Sequence, residues 1–407
     1  MNQTRRILLA DADAFFVAVA RLVDPEGAGK APLLIVGGSR DSRGVVCSAS
    51  YETRRFGVRS AMPISRALKL CPDAMCVPVP GKACGRKHQE IRAVLERFAP
   101  SVEGASIDEW YLDLTGTEGV YHHEPLRTTA HRIRAAVSAE TGLSLSLGGG
   151  TNKLVAKLAV ERAKPKPGTS ADGVHIVPAG AEQAFLRTFT LAELPMVGPK
   201  FQERLANFGM KTVPDVLRVG IPSLRQLLGD READWLWNRV RGVSDSAVES
   251  GGVQKSMSRD ETFPRDLHDD RELEHELLRL VTRAAFDLRG DGLTTRTITV
   301  KIRDKDFRTR SARRTLVEPV ISDRVILEVA RELLAKLRSA RRVPARLLGV
   351  ALSSLAEDPK ADQLTLFAAD QDPLADTDRD RALARSVDRV REKFGAKGIV
   401  PATLVSD

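Results

Sequence analysis

Two apolar, β-prone runs in this chain end in carboxylates, and this limits its possible folds more than any other feature. RRILLADADAFF (5–16) runs out into Asp11 and Asp13, and SIDEWYLDL (106–114) sets Asp108 beside Glu109. Strand residues alternate faces, so neighbouring carboxylates within one strand would point opposite ways; they converge only at a strand end or a tight turn. Two carboxylates about 4 Å apart repel by roughly 4 kcal/mol at an effective dielectric near 20. A bound divalent cation reverses the sign of that interaction. A solvated turn with two ordinary surface acids is the plainer alternative.

At 407 residues the chain exceeds one comfortable core, so about two to four domains are expected. Its 42% hydrophobic and 29% charged residues describe a soluble globular protein. Lys and Arg outnumber Asp and Glu 63 to 54, a formal charge of +9 that suits a polyanionic partner but dictates no fold. Asp11 and Asp13 interrupt the first apolar run too early for a secretory signal, and no apolar span reaches about 18 residues. A cytoplasmic protein with no membrane partner is expected. Cys47, Cys71, Cys76 and Cys84 form no CxxC pair and are read as reduced thiols.

Periodicity predicts a strand in RRILLADADAFF, a helix in FFVAVARLVD and a strand in APLLIVGG. It then predicts strand, helix, turn and helix in SRGVVCSASYETRRFGVRSAMPISRALKLCP, and a helix in HQEIRAVLERFAP stopped by Pro100. SVEGASIDEWYLDLTG reads as two short strands around a turn, followed by helix HRIRAAVSAETG, strand SLSLGGGT and a helix from Asn152. This is an α/β (α+β) pattern with acids at strand ends, where ligands of such sheets gather. LAELPMVGPKFQERLANFGMKTVPDVL has helix-hairpin-helix spacing: two short helices joined through Pro195–Pro199, with Gly209 closing the second. Backbone N–H groups at Gly198 and the following turn, with Lys200, would suit a DNA phosphate. After a polar linker come a helix near 271–289, strand TITVKIRDK with hairpin partner FRTRSARRTLVEP, a helix near 322–337 and strand ARLLGVALSSL. In TITVKIRDK, Ile298, Val300 and Ile302 face one way, while Lys301, Arg303 and Lys305 offer a cation about every 6.6 Å on the other, as a DNA-binding face or a solvated one.

Strand-end acids from distant segments suit hard cations. Magnesium typically takes one or two carboxylates and completes its shell with water and substrate phosphates. Phosphoryl chemistry also needs cations away from the metal. Tyr51 and Arg54 lie three apart on one predicted helix face, as a hydroxyl donor and a bidentate guanidinium. Lys157, on the helix after a glycine-rich turn, is a third candidate phosphate contact. GGGTNK lacks the GxxxxGK[ST] pattern, which excludes a P-loop NTPase.

DADAFF, SYETRRFGVRSAMP, SIDEWYLD, GTNKLVAKLA with AKPKPG, and LPMVGPK occur in one order and spacing that resembles the Y-family DNA polymerases, most like the bacterial DNA polymerase IV group. The resemblance implies a right-hand architecture: palm (1–16 and 81–170), fingers (17–80), thumb with helix-hairpin-helix (171–242), linker (243–255), little finger (256–357) and tail (358–407). It implies that Asp11, Asp108 and Glu109 hold two Mg2+ ions, with Mn2+ as a possible substitute, and that Asp13 lies at the edge of that site. Tyr51, Arg54 and Lys157 would grip a dNTP triphosphate, and Phe16 would be the steric gate against a ribose 2′-hydroxyl. The expected partners are primer-template DNA and dNTPs, and the expected state is a monomer associated with the bacterial nucleoid. The implied activity is low-fidelity translesion synthesis without proofreading.

QLTLF resembles a sliding-clamp peptide, with Gln363 for a polar spot and Leu364, Leu366 and Phe367 for an apolar one. A last amphipathic helix, RALARSVDRVREKFG, follows it as a further candidate partner site. Trp110 stands where the family usually has a small residue, which puts the expected primer placement in question. A catalytically silent DNA-binding scaffold and a metal-dependent nuclease remain rival readings. A scaffold has no use for clustered acids, and a nuclease has none for Tyr51, Arg54, Lys157 or a gate.

Overall fold

The computed structural model describes residues 4–40, 42–165, 170–252, 254–358, 374–395 and 398–404. The chain divides into two compact units, Met1–Gly252 and Val253–Asp407. No helix among the described residues is long and apolar enough to cross a membrane.

The first unit begins with β1 (Ile7–Ala12), α1 (Phe15–Val23), β2 (Leu34–Gly37), β3 (Val46–Ala49), α2 (Tyr51–Arg55), α3 (Ile64–Leu70) and β4 (Met75–Pro78). It continues with α4 (Gly81–Glu96), β5 (Ser101–Gly104), β6 (Glu109–Asp113), α5 (Leu126–Thr141), β7 (Leu145–Gly150), α6 (Lys153–Ala163) and β8 (Val174–Ile176). Strands order as β5-β6-β1-β7-β8 in the main sheet and β3-β2-β4 in a smaller one. One face of the main sheet sends Leu8, Ala10, Trp110, Leu112, Leu145 and Leu147 into a core shared with Ile91 and Leu95 of α4 and Ile133 and Val137 of α5. On the other face Ile7 and Leu9 pack against Ala156 and Val160 of α6. Period-two alternation along β1 therefore assigns odd positions, Asp11 included, to the side covered by α6.

The remainder of this unit is helical: α7 (Glu182–Leu186), a 3₁₀ turn at Leu191–Glu193, α8 (Pro199–Asn207), α9 (Val213–Leu228) and α10 (Asp230–Val240). The first helix expected of the helix-hairpin-helix is thus a single 3₁₀ turn, because Pro195 lies too close for an α-helical ladder to develop. Gly209 takes φ +75, the left-handed conformation a glycine reaches without strain. α4 begins at Gly81, seven residues before the predicted start, and β4 was not anticipated.

The second unit contains β9 (Ser256–Leu267), α11 (Asp270–Gly290), β10 (Leu293–Asp304), β11 (Thr309–Val320), α12 (Asp323–Ala340), β12 (Ala345–Glu357) and α13 (Asp378–Phe394). Its antiparallel sheet runs β11-β10-β12-β9. Ile298, Val300 and Ile302 of β10 are buried with Leu277 and Val281 of α11 and Val329 of α12. β9 lies between the expected linker and the helix near 271–289, in a stretch for which the sequence suggested no element. The strand β10 ends at Asp304, so Lys305 falls in the hairpin turn and does not extend the row of Lys301 and Arg303.

Candidate active site

Asp11 at the end of β1 pairs in register with Glu109 at the start of β6, so the two carboxylates share a sheet face on adjacent strands. Asp108 immediately precedes β6, and its carbonyl accepts from Ala12 N–H at 2.9 Å. Three acids from two distant segments therefore meet at one sheet end. Ser106 Oγ holds the Asp108 carboxylate at 2.5 Å. Asp13 faces a different set of partners, accepting from the hydroxyls of Ser144 at 2.6 Å and Ser146 at 2.7 Å.

The helix α6 lays two ammonium groups over these acids. Lys157 pairs with Glu109. Lys164, seven residues on and hence on the same helical face, lies 2.9 Å from Asp11 and 2.7 Å from Glu161. Asp11 is only 6% exposed. Burial pushes its pKa up to about 7; Lys164 opposes that shift and Glu109 adds to it. Burial works against the Lys164 ammonium, but Asp11 and Glu161 outweigh it and hold Lys164 above its ordinary range.

Among the described residues no three acids, histidines or cysteines are already gathered as a metal cage. Lysines neutralise the acids in their place. A carboxylate set with one buried and two half-buried members, and oxygen as its only donor, fits a hard divalent cation, which would take over the charge that Lys157 and Lys164 balance.

α2 is capped by Ser50, whose hydroxyl accepts from Thr53 N–H, and this presents Tyr51 and Arg54 together. The Arg54 guanidinium lies 5.0 Å from the Tyr51 ring centroid and donates through Nε to Ala49 O at 2.9 Å. Burial raises the Tyr51 phenol above its usual range; Asp13 and Asp11 act the same way, while Arg54 and Lys164 oppose them. These five side chains thus share one electrostatic neighbourhood. Lys164, which sequence reasoning did not single out, belongs to it; the expected phosphate contact Lys157 pairs with Glu109, as Lys164 does with Asp11. The available signal was the AKPKPG motif and the seven-residue spacing.

Phe15 is buried in the core at 1% exposure, whereas Phe16 is half-buried and meets Phe15 edge-on with centroids 5.6 Å apart. Trp110 is fully buried on the sheet face opposite Glu109, so it is a core residue and not one beside the acids. Gly198 caps α8 with Pro199 at its first turn, and Lys200 is exposed there. In the second unit Lys301 is held by Asp260 at 2.5 Å and Arg303 donates to Thr309 Oγ1 at 2.9 Å. The peptide containing Gln363, Leu364, Leu366 and Phe367 lies outside the described residues. All four cysteines are free, and burial raises each thiol above its ordinary range.

The impB/mucB/samB family profile matches residues 10–161, and the profile of that family's C-terminal domain matches residues 254–366. The chain is 35% identical over 401 residues to a DNA polymerase IV from Desulfatibacillum aliphaticivorans, covering 98% of this chain and 97% of that one. It is 36% identical over 399 residues to a DNA polymerase IV from Caulobacter vibrioides, covering 98% and 93%. Among solved structures, a Y-family DNA polymerase chimera of Dbh and Dpo4 matches with a TM-score of 0.76 at 24% identity, covering 86% of this chain and 99% of that one. DinB from Sulfolobus solfataricus matches with a TM-score of 0.56 at 26% identity, covering 86% and 98%. The chain therefore belongs to the impB/mucB/samB family, the Y-family DNA polymerases.

Proposed function

We propose that this protein is a template-directed DNA polymerase that adds dNTPs to a primer 3′-hydroxyl, with low fidelity and no proofreading, in translesion synthesis. The observation that carries the reading is the in-register pairing of Asp11 with Glu109, with Asp108 beside them and Tyr51, Arg54 and Lys164 in the same neighbourhood. Asp11, Asp108 and Glu109 would hold two magnesium ions, or manganese, which when bound acidify the primer hydroxyl and balance charge on the departing pyrophosphate. The chain's own part is positioning. Tyr51 donates a hydroxyl hydrogen bond and Arg54 a forked pair to the triphosphate, and Lys164 adds an ammonium once its carboxylate has another counter-ion. We assign Lys157 to charge balance at Glu109. Phe16 stands as the wall against a 2′-hydroxyl. Residues 1–16 and 81–170 act as palm, 17–80 as fingers, 171–242 as thumb and 256–357 as little finger.

DNA is held away from the chemistry by backbone N–H groups at Gly198 with Lys200, and by Lys301 and Arg303, with Lys305 at the hairpin turn. QLTLF would tether a cytoplasmic, nucleoid-associated monomer to the sliding clamp and raise its effective concentration at primer ends.

Primer extension on a primed template with dNTPs and magnesium, comparing the unaltered chain with Asp108→Ala, tests the reading. Extension lost in the variant supports it. No extension by a folded, DNA-binding chain would favour the silent scaffold, and nucleotide-independent shortening would favour a nuclease.

A further inference from the structure

The turn between β5 and β6 carries Asp108, whose carbonyl is held by Ala12 N–H of β1 at 2.9 Å, while most of the bonds on its other side are the turn's own. Ala105 N–H and Ser106 N–H both donate to Glu109 O, at 2.9 and 3.3 Å, and Asp108 N–H donates to Ser106 Oγ at 3.3 Å. Ile107 lies at the tip and is 38% exposed. Its carbonyl is bonded from outside the turn, by His88 Nδ1 of α4 at 3.0 Å. A carbonyl can only accept, so Nδ1 carries the proton in that bond. The same imidazole stacks on Trp110, with ring centroids 5.0 Å apart and planes 27° apart. Trp110 is buried completely and registers with Ala10 on one side and Gly104 on the other, so its ring is fixed by the sheet.

We propose that His88, braced by Trp110, is a positioning residue for Asp108. The Ile107 carbonyl and the Asp108 N–H belong to one peptide plane, and that plane is rigid. Holding the oxygen from α4 therefore sets the direction of the Asp108 backbone, and Ser106 Oγ then sets its carboxylate. Trp110 and Glu109 are consecutive strand residues on opposite faces, so one short segment supplies both a carboxylate and the brace for its neighbour. Without the brace, the Asp108 backbone would be held from outside the turn only at its own carbonyl, by Ala12 N–H, leaving the preceding peptide plane free to tilt, and a site must be held within about 0.5 Å to work well. The role of His88 is positional: its contacts are with the Ile107 carbonyl of the turn and with Trp110 of the core. This inference rests on the reading of Asp108 as a metal-holding acid, and its test does not depend on catalysis alone.

The test uses the full chain as His88→Ala, His88→Gln and Trp110→Phe. Glutamine can still donate to the Ile107 carbonyl, and phenylalanine keeps an aromatic face without opening a large cavity. Three measurements are made: Mn2+ binding to the metal-free protein, followed by the EPR signal of free Mn2+; amide exchange at Asp108; and kcat and KM for single-nucleotide insertion. In His88→Ala, Mn2+ half-saturation rises and Asp108 exchange accelerates, each by about three- to tenfold, the worth of one hydrogen bond. The kcat falls by a similar factor while KM for the nucleotide holds, because Tyr51, Arg54 and Lys164 are untouched. His88→Gln recovers most of each loss, and Trp110→Phe lies between. A folded His88→Ala with Mn2+ binding and Asp108 exchange both unchanged overturns the proposal. If the unaltered chain extends no primer yet His88→Ala still weakens Mn2+ binding, the polymerase reading fails and the positioning role stands.

Discussion

Lys164 holds its ammonium 2.9 Å from the Asp11 carboxylate, and the same charge acts on the Tyr51 phenol across the site. An ammonium held by an acid, with the tyrosine proposed to bind phosphate in the same electrostatic neighbourhood, is poised to change partners when the acid acquires a cation. Replacing Lys164 by Ala should raise KM for the incoming nucleotide by about 10- to 100-fold, the cost of one charge-assisted hydrogen bond. Lys157→Ala should raise it far less, since Lys157 pairs with Glu109. Single-nucleotide insertion kinetics separate the two; equal effects would return Lys157 to the phosphate site.

Phe16 is half-buried and packs at the edge of the core beside a fully buried Phe15, so removing its ring takes away edge contacts and leaves the buried side chains in place. An apolar pocket with no wall distinguishes a substrate from one carrying an extra hydroxyl by only about 100-fold. Phe16→Ala should therefore let discrimination between dNTPs and rNTPs fall to about that level, with the melting temperature nearly unchanged. Competition assays with matched dNTP and rNTP give the ratio directly. Unaltered selectivity would place the gate elsewhere.

The acids were legible because hydrophobic periodicity marks strands and marks where they stop: RRILLADADAFF and SIDEWYLDL each show an apolar run meeting charge. Which lysine meets which acid was not. Lys157 and Lys164 lie on the same helical face, and the choice depends on how α6 is laid along the sheet. β9 escaped because SMSRDETFPRDL is polar, lacks clear alternation and contains Pro264. It is an edge strand whose identity comes from pairing with β12. The 3₁₀ turn before Pro195 has the same lesson in reverse: a helix-like sequence was cut short by local geometry.

Thr212 and Asp215 form a reciprocal capping box at the start of α9. The Thr212 hydroxyl, with the N–H groups of Lys211 and Thr212, lowers the Asp215 pKa to about 2. A folded value below the unfolded one means that the stability is fully present above about pH 4 and is lost as pH falls toward the folded value. Thr212→Ala should cost about 1 kcal/mol at pH 7. It should also flatten the loss of stability between pH 4 and pH 2. Thermal melts of the full chain across that window would show an unchanged slope if the box contributes nothing.

Lys301, a candidate DNA contact, is already engaged by Asp260, each side chain 35% exposed. A phosphate must displace that carboxylate before it can use the ammonium. Asp260→Ala should therefore tighten binding to primer-template DNA and steepen its salt dependence by up to about 0.9 in log–log slope, one further released counterion. Lys301→Ala should do the opposite. Anisotropy titrations at several salt concentrations measure both, and an Asp260→Ala slope equal to that of the unaltered chain would remove Lys301 from the interface.

α13 belongs to the core of its unit. Its buried positions, Ala384, Asp388 and Arg391, follow helical spacing, and the seam they form is mostly polar. Arg289 of α11 grips Asp388 with two hydrogen bonds, at 2.5 and 2.9 Å, and the guanidinium is only 5% exposed. Asp323 shares the same guanidinium at 3.0 Å. Asp376, just before the helix, accepts from Ile321 N–H at 2.6 Å and Ser322 N–H at 3.2 Å at the start of α12. Removing one partner of a buried pair costs more than the pair contributes, because the other charge stays behind without its full set of acceptors. Asp388→Ala should therefore destabilise the unit of residues 254–404 by about 3 kcal/mol, with Asp323 limiting the loss. Calorimetry of the full chain would show the transition of that unit moving down while that of the first unit stays. If both transitions keep their positions, α13 does not depend on this anchor, and the Asp358 pairs with Arg381 and Arg385 hold the helix instead.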